Sequence, residues 1–204
     1  MKKFIQDPLL LIGLILAHVL LFFSFHDKAI FWYIFTGSVL VLIAYAMFQE
    51  EEVDDDASFI HYIFLGAISG LVLYLVFWLG IRGMKILHLP YGTSLKNLYN
   101  WFAPTLFWQY LALVLVAAPG EELFWRGFIQ KRLNKKFKPG LSIFTASLLY
   151  ASAHIYSGSF LLVLAAYLSG LFWGYLYLWK KSMPLVIVSH IIFDLMLFII
   201  LPLH

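Results

Sequence analysis

No cysteine occurs in the 204 residues. That removes a thiol nucleophile, disulfides and thiolate metal sites from consideration. Charge is scarce as well. Asp, Glu, Lys and Arg make up 12% of the chain, where a soluble domain carries about 25%, so a charged surface all round is excluded. The net charge is only +3 and the basic residues flank apolar runs. They read as topology signals, and nucleic acid is not a partner. There is no HExxH zinc signature, no internal repeat and no low-complexity linker. What fills the chain is apolar: 63% of residues are hydrophobic, against about 45–50% in soluble domains. Aromatics are abundant, with 7 Trp, 12 Tyr and 20 Phe, which suits interfacial belts and helix–helix contacts. The expectation is an all-α polytopic membrane helix bundle, a single domain solvated by the lipid bilayer.

Apolar runs predict about seven transmembrane helices, over residues 8–25, 29–48, 58–81, from near 105 through a Glu-Glu pair, 141–155, 160–179, and from after Pro184 nearly to His204. The first run follows Met1-Lys2-Lys3 but no small-x-small cleavage site follows it, so it reads as a span and not as a signal peptide. Residues 50–56 hold six acids in seven positions and read as a solvated, mobile loop. Residues 82–104 read as a loop with a short interfacial helix. Gly170 and Gly174 have the spacing of a close helix contact. A cytoplasmic amino terminus places Lys2, Lys3, five basic residues of the 131–138 loop and Lys180-Lys181 inside. Only Lys28, Arg82, Lys85 and Lys96 then lie outside, an excess that obeys the positive-inside rule.

Ionisable residues inside spans are few, and each costs roughly 2.5–3.5 kcal/mol on insertion scales. The densest group is Gly120-Glu121-Glu122-Leu123-Phe124-Trp125-Arg126. Glu122 and Arg126 are i,i+4 with the acid first, the favourable order for an ion pair. Glu121 points about 140° away from Arg126 and is left for chemistry. Trp125 is i,i+4 from Glu121, so it is expected to wall off that carboxylate from water and suit it to general-base work. Pro119-Gly120 is expected to bend the helix there. His190 and Asp194 share a face, as do Tyr150 and His154. Counted along helices at about 1.5 Å per residue, all of these lie at compatible depths. His18 and His61 sit near span edges without evident polar partners and are assigned no function.

These motifs, EExxxR at Glu121–Arg126, aromatic-xxx-His at Tyr150–His154 and HxxxD at His190–Asp194, come in this order on successive late helices. The pattern resembles the CAAX protease and bacteriocin-processing (CPBP, or Abi) family of intramembrane proteases, whose eukaryotic relatives are the type II CAAX prenyl endopeptidases. The resemblance covers about residues 105–200. It implies that residues 105–204 are the catalytic helices and 1–104 accessory helices and loop. It also implies that Glu121 is the catalytic glutamate, that His154 helps it activate water, and that His190 and Asp194 stabilise the oxyanion. Glu122, Arg126, Tyr150 and Trp125 would support the site. Tyr150 stands where Phe is frequent, and Asp194 where Asn is frequent. An ionised Asp cannot donate to an oxyanion, so Asp194 either carries a proton or orients His190. The compact length resembles bacterial members, which implies a bacterial cell membrane.

The function expected is hydrolysis of a peptide bond in a peptide or protein substrate, plain or lipid-modified. Substrate would enter laterally or from the cytosol, and no cofactor is called for. One alternative makes Glu121, His154 and His190 the three ligands of a catalytic zinc. Another is a non-catalytic membrane scaffold or immunity protein built on the same bundle.

Overall fold

The computed structural model describes residues 7–49 and 53–203. Expectations that fall on Lys2, Lys3, Glu50–Glu52 and His204 lie outside the described residues. Helix α1 (Pro8–His26) begins where Asp7 accepts the Leu10 N–H at 3.0 Å and Pro8 occupies the first turn, a position whose N–H is unpaired anyway. It is followed by α2 (Phe31–Phe48), α3 (Phe59–Ile86) and a short α4 (Gly92–Phe102). A 97° bend leads from α4 into α5 (Phe107–Asn134). Then come α6 (Pro139–Ala153), a 3-10 turn at Ile155–Ser157, and α7 (Phe160–Lys180), which Ser159 caps by accepting from Leu162 N–H. The last helix, α8 (Met183–Ile200), is capped by Ser182, which accepts from Leu185 N–H. No strand occurs among the described residues; one antiparallel bridge joins Asp55 and Ser182.

The long helices are apolar on every side, as bilayer-solvated helices are. On α3, Ile60, Phe64 and Leu79 are 76%, 64% and 61% exposed, which is acceptable only against lipid tails. Five helices are long and apolar enough to cross a membrane, or six if α4 and α5 form one broken span. That is fewer than the seven expected. With α4 and α5 counted as one broken span, the remaining difference is α6, whose 15 residues rise about 22 Å, short of a hydrocarbon core about 30 Å thick.

Polar contacts sort the loops onto two ends. At one, Asp7 pairs with Lys136 at 2.9 Å and Arg132 at 3.2 Å, and Lys131 reaches Asp54 at 3.3 Å. The 53–56 segment is therefore not the free solvated loop expected from its charge. Its backbone bonds the α7–α8 turn, Met183 N–H to the Asp54 carbonyl and Asp56 N–H to the Lys181 carbonyl, while Ser182 Oγ donates to Asp55 and the Tyr177 hydroxyl to Asp54. The opposite end is closed by α4. It turns Leu95, Leu98, Tyr99 and Phe102 inward at helical spacing. Phe102 packs edge-on against Phe25 and Phe31, and the Lys28 ammonium lies over Trp101.

Small residues let the later helices pack closely. Gly170 abuts Ser147 of α6, and Gly174 abuts Gln130 of α5, whose amide donates to the Gly174 carbonyl at 2.8 Å. Gly66 and Gly70 of α3 lie on the Leu185 and Ser189 backbone of α8, where a Cβ would collide with the carbonyl oxygens.

Candidate active site

Helix α5 carries the two glutamates through Pro119 without a break. Proline offers no N–H and crowds the preceding turn. Here the turn before it widens: Leu113–Ala117 is π-helical and the Ala118 N–H bonds the Leu113 carbonyl, five residues back. A second π stretch, Leu123–Gln130, follows Glu122. Wide turns of this kind recur at functional sites, and here they take the place of the bend expected at Pro119-Gly120. Gly120 admits α2: a Cβ there would overlap Val39 and Ile43.

Glu122 is fully buried and Arg126 is 2% exposed. Arg126 Nη1 donates to Glu122 Oε1 at 3.0 Å, the pairing their spacing predicts. The guanidinium also lies between two aromatic faces, 4.9 Å from the Tyr150 ring centre and 5.2 Å from that of Trp173, so the charge is partly compensated by the rings. The same Glu122 oxygen stands 2.7 Å from His190 Nδ1. Glu122 thus serves α8 as well as its own helix. With Nδ1 committed to a carboxylate, Nε2 is the ring atom that faces the cavity.

Glu121 sits one residue earlier, on another face. Its Oε2 accepts from the Tyr150 hydroxyl at 3.1 Å. Its two oxygens face two imidazoles: Oε1 is 3.7 Å from His154 Nε2, and Oε2 is 3.9 Å from His190 Nε2. These separations exceed a hydrogen bond and fit a bridging water. His154 Nδ1 lies 2.9 Å from the carbonyl oxygen of Tyr150; donation there leaves Nε2 free to accept. Asp194 Oδ2 lies 3.5 Å from His190 Nε2. His154, His190 and Asp194 are 5%, 4% and 6% exposed, so water is nearly excluded and local charges act strongly.

The structure therefore brings Glu121, His154, His190, Asp194, Glu122, Arg126 and Tyr150 into one cluster. Trp125 is placed differently from the expectation. It packs against Phe124 and Tyr150, behind the hydroxyl that donates to Glu121, and does not itself line the cavity. The aromatic against the site is Trp173, stacked on His190 with ring centres 3.9 Å apart and held by its indole N–H on Ser189 Oγ at 3.1 Å. Sequence spacing could not have named Trp173, since it faces His190 from a different helix. His18 and His61 do have polar partners, Tyr156 and Ser58.

A cavity of about 380 Å³ opens from Glu121, His154, His190 and Asp194 between aromatic and aliphatic walls. Phe25 and Phe35 of the amino-terminal helices are among those walls. Val76 of α3 and Leu164 and Leu168 of α7 line it too, yet are 51%, 38% and 41% exposed at the molecular surface. The cavity thus reaches the lipid-facing side between α3 and α7. A catalytic zinc would need three donors converging at about 2.0–2.2 Å. Among the described residues no group of three His, Asp or Glu side chains is so arranged.

Residues 103–196 match the model of the family described as type II CAAX prenyl endopeptidase Rce1-like. That segment is similar to the type II CAAX prenyl endopeptidases. The Rce1-like match spans every residue of the cluster, from Glu121 to Asp194. Comparison with curated proteins found no match, and neither did comparison with solved structures. The match, together with the long apolar helices, supports a multi-pass membrane protein of the CAAX-type intramembrane protease kind in general terms.

Proposed function

We propose that the chain is an endopeptidase that hydrolyses a peptide bond within the bilayer by activated water, without a covalent intermediate. Glu121 and His154 hold the water between Oε1 and Nε2, and Glu121 takes its proton. The hydroxide attacks the scissile carbonyl. His190 donates from Nε2 to the developing oxyanion, braced from behind by Glu122. Asp194 keeps that Nε2 proton aimed at the substrate. Glu121 then returns its proton to the leaving amine. The apolar cavity suits a substrate with a membrane-associated or lipid-modified segment.

The observation that carries this reading is the placement of one carboxylate between two imidazoles, 3.7 and 3.9 Å away, in a nearly dry pocket. The test is proteolysis by purified protein in liposomes. The wild type is expected to cleave a plain or isoprenylated C-terminal peptide, and Glu121→Gln to remain folded and cleave neither. Retained cleavage in Glu121→Gln would remove the assignment.

A further inference from the structure

Helix α3 outruns the bilayer core. From Phe59 to Arg82 it rises about 34 Å, against a hydrocarbon core about 30 Å thick, and it continues to Ile86. Its last turns therefore stand at headgroup level. Trp78, Arg82 and Lys85 follow one another there at i, i+4 and i+7, which puts them on one face. Trp is a residue of the membrane interface. The Arg82 guanidinium lies over its ring at 5.0 Å, an arrangement that turns the N–H edge toward oxygen ligands. These three side chains line a cavity of about 210 Å³ with Tyr91, the residue before α4, and with Pro202 and Leu203 beyond α8. Among the described residues neither Arg82 nor Lys85 has an acidic partner. Two cations facing one cavity without a counterion attract an anion. We infer that this cavity seats the phosphate headgroup of an anionic phospholipid.

Size and surroundings select the ligand. The cavity has room for about seven waters at roughly 30 Å³ each, less than the roughly 300–1,000 Å³ of pockets that enclose a drug-sized molecule. That suits a phosphodiester headgroup whose acyl chains stay outside. The chains have a track. Leu71 and Leu75 lie eleven and seven residues before Arg82, within about 20° of it around the helix, and both are exposed. Along this stripe α3 runs from apolar to aromatic to cationic, the order of acyl chain, glycerol and phosphate. A free phosphate would meet only the cations, and a peptide carboxylate would leave the apolar track uncovered. Each cation near a membrane surface favours an anionic lipid about 5-fold, so the pair should give roughly 10–30-fold. The site adjoins the catalytic cavity, with which it shares Ile81 and Leu203. Its occupancy does not depend on the proteolytic reading.

Native mass spectrometry of the purified full chain in detergent reads bound lipid directly. Phosphatidylglycerol and phosphatidylcholine with the same acyl chains are titrated separately. The first phosphatidylglycerol is expected to bind roughly 10–30-fold more tightly than phosphatidylcholine. Arg82→Gln/Lys85→Gln should lose most of that preference and keep its melting temperature, since both side chains are exposed. Lys138→Gln/Lys181→Gln removes two cations that do not line the cavity and should keep the preference. Equal loss in the two double variants would reduce the effect to overall charge and overturn the site, as would equal binding of the two lipids by wild type. Glycerol 3-phosphate and inorganic phosphate, each at the lipid concentration, are expected to displace no bound lipid. Displacement by either, or by an apolar peptide with a free carboxylate at that concentration, would put that ligand in place of the lipid and overturn the assignment.

Discussion

His190 Nδ1 and Glu122 Oε1 are 2.7 Å apart, across sixty-eight residues of chain. That contact ties α5 to α8 at the level of the reacting groups. It also gives Glu122 two partners, since Arg126 donates to the same oxygen.

Glu122→Ala strands a buried guanidinium and unbraces His190. Losing one member of a buried pair costs about 3–5 kcal/mol. A marked fall in melting temperature is expected, together with loss of cleavage. Glu122→Gln keeps an acceptor for Arg126 and should be milder in stability than in kcat. Equal effects of the two variants on both readouts would contradict the double role.

Tyr150→Phe removes the hydroxyl that donates to Glu121 at 3.1 Å and leaves the ring against Arg126 and Trp125. A hydrogen bond to a charged group is worth about 1.5–3 kcal/mol, so kcat should fall roughly 10–150-fold. The melting temperature should move little. An unchanged kcat would show that the hydroxyl has no part in holding the carboxylate.

Chelator treatment separates the water mechanism from its zinc rival. Cleavage is expected to persist in excess chelator with metal-free buffer. Activity lost to chelator and restored by zinc would make Glu121, His154 and His190 ligands instead.

Asp7 sets a pH dependence of stability. Burial pushes its carboxyl up, but the Lys136 hydrogen bond, the Leu10 N–H and the Arg132 charge outweigh this and hold it below the usual carboxylate range. A depressed carboxyl stabilises the fold above its unfolded-state pKa, and the contribution is lost as pH falls through the folded one. Acid should therefore lower the wild-type melting temperature more than that of Asp7→Asn, which still caps α1. Parallel acid curves would count against the ionic contribution.

Much of this was legible in the sequence because it is local. The Glu122–Arg126 pair and the shared faces of Tyr150–His154 and His190–Asp194 come from helical spacing and residue type. The rest was hidden because it is made between helices. The stacking of Trp173 on His190, the bond from His190 to Glu122 and the aromatic wall from Phe25 have no fixed spacing to read. Trp125 backs Tyr150, the donor to Glu121, and does not line the cavity itself, a placement set by the neighbouring helix and not by spacing along its own. The 53–56 segment was misjudged because charge alone suggests solvation, whereas its backbone bonds lie along another loop.

The two glycines of α3 have a mechanical consequence. With Gly66 and Gly70 seated on the α8 backbone, α3 and α8 are geared together. A substrate that parted α3 from α7 to enter from the lipid would pull on α8 and on its tie to Glu122, and so on His190 and Asp194. On the proposed mechanism, the oxyanion donor His190 would then be out of register with Glu121 while the door stands open, and return as it shuts. Such an interlock would keep activated water idle until a peptide is fully inside.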